Sequence, residues 1–155
     1  DLYKRKVAFL EPELRREDAR KASFPAGKVD LVITSPPYAG VYDYSRHQSR
    51  RYPIFEEDPA FPAACEMGSR TDSGRYREDM ESVLKNLLAA LSPTGKILMI
   101  IGDGQQIKAD ALIRELAAKL GAAVTASASQ LKRDWSGGPP KQEHFLLVSA
   151  VRPAP

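Results

Sequence analysis

The segment Val29–Tyr44, VDLVITSPPYAGVYDY, constrains the fold more than any other part of the sequence. It begins with an apolar, largely β-branched run, which is typical of a strand buried in a parallel sheet. Two adjacent prolines then end the strand, because proline has a fixed φ and no backbone N–H. The chain therefore places a serine hydroxyl, a rigid backbone and an aromatic ring at the end of one strand.

Two later segments have the apolar spacing of amphipathic helices. They run from Met80 to Leu91 and from Ile113 to Leu120. We expect Asp72 or Ser73 to cap the start of the first helix, and Gly121 to cap the end of the second. The sequence Ser-Pro-Thr-Gly at residues 92–95 predicts a turn between the first helix and the next strand.

Short apolar runs predict strands at Val7–Leu10, Lys96–Ile101 and His144–Val151, and the loose alternation of Val124–Leu131 predicts one more. Strands that alternate with helices indicate an α/β fold with mostly parallel strands. No helix precedes the last strand, so we expect it to insert antiparallel at or near the edge of the sheet. We predict a single domain over residues 1–155, with a long functional loop over residues 39–74.

Composition narrows the classes of protein that this chain could be. Its 155 residues suit one domain, and its hydrophobic content of 43% is ordinary for a globular protein. No apolar run approaches the roughly 20 residues that cross a bilayer. The single Cys65 cannot form an internal disulfide, which favours a reducing, cytoplasmic setting. No His/Cys spacing suggests a metal site. The net charge of +3 is compatible with a polyanionic partner but is weak evidence for one.

The segment Ser35–Tyr38 has the chemistry to hold a planar group with an exocyclic amine. The Ser35 hydroxyl and the Pro36 carbonyl are acceptors, and Pro37 restricts the direction in which that carbonyl points. The ring of Tyr38 can stack on a base that has been unstacked from its helix. A simple strand-ending turn or an exposed proline-rich ligand would have the same composition, and both readings stay open on this evidence.

The sequence VDLVITSPPY resembles the catalytic strand and loop of the S-adenosylmethionine-dependent amino-methyltransferases of DNA. Ser-Pro-Pro-Tyr is typical of enzymes that act on N4 of cytosine, and some N6-adenine enzymes share it. LLAALSPTGKILMIIGDG and KQEHFLLVSAV resemble later strands of the same family. The resemblance implies a Rossmann-like methyltransferase sheet, DNA methylation and a role in restriction-modification. It also implies catalytic roles for Ser35, Pro36, Pro37 and Tyr38.

The same resemblance implies which residues face the cofactor, S-adenosylmethionine. These are Asp18 with Ala19, Thr34 and Asp103; Asp18 could equally be a solvated charge, and Asp103 a turn residue. The Gly-rich cofactor loop of the family is absent from the sequence, as are its first strands. The chain is therefore expected to be a fragment, a half that needs a second chain, or a domain without activity.

Aromatic and basic residues follow the catalytic segment and suit stacking on bases and pairing with phosphates. They are Tyr42, Tyr44, His47, Arg50 and Arg51, with Trp135 in a later Gly/Pro-rich loop. Ordinary anchoring in surface loops is the alternative for each of them. The sequence thus predicts a DNA amino-methyltransferase. Its rivals are an RNA base or protein glutamine methyltransferase, and a non-catalytic nucleic-acid-binding half-domain.

Overall fold

The protein is described by a computed structural model over residues 11–40, 49–54, 60, 66–67, 72–104, 106–132 and 140–151. This part of the chain holds helices α1 (Ser73–Ala90) and α2 (Ala109–Lys119) and the strands β1 (Val29–Thr34), β2 (Leu91–Gly102), β3 (Ala122–Lys132) and β4 (Lys141–Ala150). The strands form one sheet in the order β1-β2-β4-β3. Strands β1 and β2 are parallel, and β4 is antiparallel to both of its neighbours. The predicted α/β sheet with an antiparallel last strand is confirmed.

Both helices pack against the same face of the sheet, which we call the inner face. Its side chains alternate along the two central strands and are fully buried: Ile97, Met99, Ile101, Leu146 and Val148. Apolar residues of α1 and α2, such as Leu84 and Ile113, join them in one hydrophobic cluster. Burial of this cluster is the main driving force for the fold, because apolar area leaves water there.

The opposite face of the sheet, the outer face, is also apolar. The residues that point to it are Leu31, Ile33, Leu98, Ile100, Phe145 and Leu147, as the strand register shows. Neither α1 nor α2 covers these side chains, and Leu31 and Ile33 on β1 are 54% and 68% exposed. In the described residues β1 pairs with β2 alone, so its second edge is open.

Local boundaries differ from the sequence expectations in two places. The expected turn at residues 92–95 lies inside β2, where Val29 pairs with Leu91 but Leu31 pairs with Lys96, so the register shifts there. Helix α1 begins at Ser73, within the predicted 39–74 loop, and the side chain of Asp72 accepts a hydrogen bond from the Arg75 amide as its cap. The C-terminal cap of α2 has the predicted form, because Gly121 has a φ of +73°. The strand predicted at Val7–Leu10 lies outside the described residues.

Candidate active site

The Ser35–Tyr38 segment lies at the carboxyl end of β1, beside the loop at residues 102–104 that follows β2. Because β1 and β2 are parallel, both loops emerge at the same edge of the sheet. The carboxyl end of β3 and the amino end of β4 reach this edge too. We call this edge, with residues 35–40, 102–104, 129–130 and 143–144, the site edge.

Two glycines allow the loops at the site edge to touch. A Cβ atom on Gly102 would overlap the ring of Tyr38, and one on Gly104 would overlap the backbone carbonyl oxygen of Ala39. Only a residue without a side chain fits at either position while the neighbouring loop keeps its place. The Gly-Asp-Gly sequence that begins at the last residue of β2 therefore serves as the surface on which the Ser35–Gly40 loop lies.

Two hydrogen bonds fix the Pro37–Tyr38 part of the loop from opposite sides. The buried hydroxyl of Tyr76, in the first turns of α1, donates to the Pro37 carbonyl oxygen over 2.8 Å. The hydroxyl of Tyr38 donates to Oε1 of Glu143 over 2.6 Å, and Nε2 of Gln130 donates to Oε2 of the same carboxylate over 2.9 Å. The loop is thus held by side chains of α1, β3 and β4.

The four residues of the segment differ in exposure in a way that suits ligand binding. Ser35 is exposed, Pro36 is buried, and Pro37 and Tyr38 are half-buried. Among the described residues the Ser35 hydroxyl has no hydrogen-bond partner. The segment therefore combines a fixed backbone with an accessible hydroxyl and a partly accessible aromatic ring. A hydroxyl in this setting can accept or donate a hydrogen bond to a ligand.

Asp103 lies at the site edge, and its carboxylate is fully engaged within the protein. Oδ1 accepts a hydrogen bond from the Ala109 amide at the start of α2 (2.9 Å) and lies 3.2 Å from His144 Nε2. Oδ2 accepts from Lys108 Nζ over 2.8 Å. Burial acts to raise the pKa of Asp103, but hydrogen bonds from Lys108, Ala109 and His144 outweigh it and hold the pKa below its ordinary value. These contacts describe a residue that caps α2.

Asp18 and Ala19, predicted to face the cofactor, are held against α1. The Asp18 carboxylate pairs with Arg20 at 2.6 Å, and the hydrogen bond from Arg20 is the main reason that the pKa of Asp18 is lowered. Arg20 also pairs with Asp79 of α1 at 3.0 Å, and Asn86 of α1 donates to the carbonyl oxygens of Ala19 and Arg20. The Asp18 carboxylate is therefore occupied by Arg20. Thr34, the last residue of β1, is half-buried directly before Ser35.

Most of the residues predicted to contact nucleic acid lie outside the described residues. Tyr42, Tyr44, His47 and Trp135 lie outside the described residues. Arg50 and Arg51 are described, and both are exposed in the turn at residues 49–54.

The described residues contain no group of three His, Cys, Asp or Glu side chains that could hold a metal ion. Neither α1 nor α2 is long and apolar enough to pass through a bilayer.

Sequence reasoning missed three residues that build the site edge: Tyr76, Gly104 and Glu143. Tyr76 sits on the apolar stripe of α1, where it could be taken for a core residue with no other role. Gly104 carried a signal, since a Gly-x-Gly sequence directly after a buried strand indicates close approach of another backbone. The signal for Glu143 is weaker: it is an acidic residue at the start of a strand that is otherwise strongly apolar.

The fold resembles that of known methyltransferases. No protein-family model matches the chain. A type II methyltransferase, M.MjaII from Methanocaldococcus jannaschii, is 26% identical over 106 residues, which are 63% of this chain and 19% of that protein. TTHA0409, a candidate DNA modification methylase from Thermus thermophilus, superposes with a TM-score of 0.55 in its complex with S-adenosyl-L-methionine. That alignment has 20% identity and covers 89% of this chain and 55% of the other.

A more distant structure has the same fold. An S-adenosylmethionine-dependent methyltransferase from Methanosarcina mazei superposes with a TM-score of 0.51 at 8% identity, over 88% of this chain and 66% of that one. At these levels of identity the structural likeness establishes the fold: the four-stranded sheet with its two helices matches part of a Rossmann-like methyltransferase sheet. The chain spans about half the length of the Thermus protein and a smaller part of the archaeal M.MjaII.

Proposed function

We propose that this chain is the base-binding, catalytic part of an enzyme that methylates the exocyclic amino group of a DNA base, with S-adenosylmethionine as methyl donor. The observation that carries the proposal is the Ser35–Tyr38 loop. It lies at the carboxyl end of β1, it is held by Tyr76 and Glu143, and it leaves the Ser35 hydroxyl exposed. Loops at such strand ends form the ligand sites of open α/β sheets.

The chemistry of transfer assigns a role to each residue of the loop. The amino nitrogen of a base is conjugated with its ring, so its lone pair must be turned toward the methyl group before it can attack. The Ser35 hydroxyl and the Pro36 carbonyl oxygen would accept the two amino hydrogens and so orient the lone pair. The Tyr38 ring would stack on the unstacked base. S-adenosylmethionine, when bound, supplies a methyl group on a sulfonium that leaves readily.

Several observations support DNA as the substrate and S-adenosylmethionine as the donor. M.MjaII is named a type II methyltransferase, and the Thermus protein, a candidate DNA modification methylase, was solved with S-adenosyl-L-methionine bound. The Ser-Pro-Pro-Tyr sequence favours N4 of cytosine over N6 of adenine, which remains the alternative target base. An RNA base is the alternative substrate, because the same loop could hold its amino group.

The described residues fit the base side of such a site better than the cofactor side. Arg20 occupies the Asp18 carboxylate, and three donors occupy that of Asp103. No Gly-rich cofactor loop is present in the sequence. We therefore propose that a further polypeptide segment, in a longer chain or a second one, completes the cofactor site. The open edge of β1 and the exposed Leu31 and Ile33 are the surface that such a segment would cover.

Substitution of Ser35 provides the test of this function. Ser35→Ala removes one acceptor, and in the chain or complex with a complete cofactor site we expect methyl transfer from labelled S-adenosylmethionine to DNA to fall about ten- to a hundred-fold, while cofactor affinity changes little. Ser82→Ala is the matched control, since that hydroxyl donates to its own helix at Glu78 and lies outside the site edge. Equal turnover by Ser35→Ala and the parent would refute the role of Ser35. Parallel reactions with RNA and with cytosine-free DNA would identify the substrate and the base.

A non-catalytic nucleic-acid-binding half-domain is the second candidate, and the occupied Asp18 carboxylate favours it. Calorimetric titration of S-adenosylmethionine into this chain tests whether the chain binds the cofactor by itself. One-to-one binding would favour the enzyme, and methylation assays would follow directly. DNA binding that weakens with salt, without any cofactor binding, would favour the half-domain or an enzyme that awaits its other segment.

A further inference from the structure

We infer that Glu143 is a positioning residue that fixes the ring of Tyr38 in the orientation needed for stacking on the target base. The inference rests on the proposed function for its purpose, but its geometry stands on contacts within the chain. The Glu143 carboxylate accepts a hydrogen bond from the Tyr38 hydroxyl at 2.6 Å and lies 105 residues away in sequence.

The sheet register explains how Glu143 comes to lie beneath the hydroxyl. On the central pair of strands, Gly102 of β2 faces Glu143 of β4. The Tyr38 ring lies against Gly102, since a Cβ there would overlap the ring. A tyrosine lying across the glycine reaches the next strand with its hydroxyl, where the Glu143 carboxylate accepts the hydrogen bond. Gly102 and Glu143 together therefore form a seat for the ring.

Glu143 is itself held in place, so its hydrogen bond restricts Tyr38 rather than following it. Gln130 of β3 donates to the second carboxylate oxygen at 2.9 Å, and the residue is only 9% exposed. The adjacent His144 lies 3.2 Å from Asp103 and 2.8 Å from the Ser129 hydroxyl. A buried carboxylate fixed between two strands is a rigid acceptor, and hydrogen bonds to charged acceptors are stronger than neutral ones.

The seat has a functional consequence for the ring. One side of the Tyr38 ring packs on Gly102, and the ring as a whole is half-buried, so part of its surface remains accessible. A ring with a fixed hydroxyl has already lost the rotational freedom that stacking would otherwise remove. The gain in base binding therefore comes from preorganisation of the ring.

The experiment follows Tyr38 directly in the purified chain. Ring-labelled tyrosine gives one NMR signal set for each of the six tyrosines, and Tyr38→Phe identifies the set that belongs to Tyr38. We expect Glu143→Ala to shift the Tyr38 ring signals and Glu143→Gln to largely preserve them, because an amide oxygen still accepts a hydrogen bond. Gln142→Ala, at the exposed neighbouring position, is the matched control, and the signals of the buried Tyr52 report that each variant is folded.

Binding of a single-stranded oligonucleotide supplies the second measurement. We expect Glu143→Ala and Tyr38→Phe to weaken binding by a similar factor of about ten, and the double variant to be no weaker than either. If Glu143→Ala acted only by lowering the stability of the fold, its loss of binding would add to that of Tyr38→Phe in the double variant. Unchanged Tyr38 signals in Glu143→Ala, additive losses, or failure of Glu143→Gln to rescue would each overturn the inference. A parent chain that binds no oligonucleotide would overturn the proposed function, while the tyrosine signals would still decide the role of Glu143.

Discussion

The site edge and the outer face of the sheet are built in opposite ways. At the site edge, each loop is fixed by contacts from within the chain: Tyr76 to the Pro37 carbonyl, and Glu143 to the Tyr38 hydroxyl. On the outer face, apolar side chains such as Leu31 and Ile33 are left largely exposed, and no described helix packs on them. One region is polar and completed by contacts within the chain, whereas the other is apolar and is not covered by α1 or α2 in the described residues.

The two regions differ because polar and apolar groups have different requirements for a partner. Polar groups in a site must be satisfied locally, because a buried donor or acceptor without a partner costs free energy. An exposed apolar side chain costs less free energy than a buried polar group without a partner. That cost is removed when another surface covers the side chain. Substitutions at the site edge should therefore change the stability of this chain, and substitutions on the outer face should change mainly what the chain associates with.

At the site edge, the largest expected change in stability is at Gly104. Gly104→Ala places a methyl group against the Ala39 carbonyl oxygen, and we expect the free energy of unfolding in urea to fall by about 1–3 kcal/mol. Gly74→Ala is the matched control, because a Cβ there makes an ordinary contact in α1 and should stabilise the helix by about 0.5–1 kcal/mol. Two variants of equal stability would contradict the close packing of the two loops.

The next effect is the response of Asp103 to acid. Hydrogen bonds hold the pKa of this carboxyl below its unfolded value of about 3.9, so its contribution to stability is present above that pH. That contribution is lost as the pH falls through the lower pKa of the folded state. Asp103→Asn should lower stability at pH 7 and reduce the further loss between about pH 4 and pH 2.

Urea unfolding at a series of pH values measures both effects. The difference in free energy of unfolding between variant and parent at pH 7 gives the part of the effect that does not depend on pH. An acid slope in Asp103→Asn as steep as that of the parent would show that Asp103 contributes nothing to the pH dependence. The hydrogen bonds from Lys108, Ala109 and His144 would then be too weak to stabilise the site edge.

The smallest change in stability is expected on the outer face. Ile33 is 68% exposed, so Ile33→Lys should alter the free energy of unfolding by no more than about 0.5 kcal/mol. The same substitution should reduce binding of an apolar dye and any concentration-dependent association, because it adds a charge to the open edge of β1. Ile97→Lys, on the buried inner face, is the contrasting variant and should prevent folding. A large loss of stability in Ile33→Lys would show that the outer face is covered within the chain.

Much of the fold could be predicted because it depends on local patterns. The β-branched run before Ser-Pro-Pro-Tyr predicted β1, the apolar stripe from Met80 predicted α1, and Gly121 predicted the end of α2. Each pattern reflects the repeat of its own element, which the chain expresses without distant contacts. The register shift at residues 92–95 could not be predicted, because Val29 and Leu31 of β1 set it across the strand pair.

The candidate site could likewise be predicted only in part, where it depends on consecutive residues. The residues alone show that a hydroxyl, two prolines and an aromatic ring follow a buried strand, because they are consecutive and proline limits its own backbone. The contacts that hold them depend on the folded chain. Folding brought Glu143 under Tyr38, placed Gly104 against Ala39, and gave the Asp18 carboxylate to Arg20. The first two contacts join residues far apart in the chain, and the third depends on a turn packed against α1. Such pairings follow from strand order and packing, which a linear pattern of residue types does not contain.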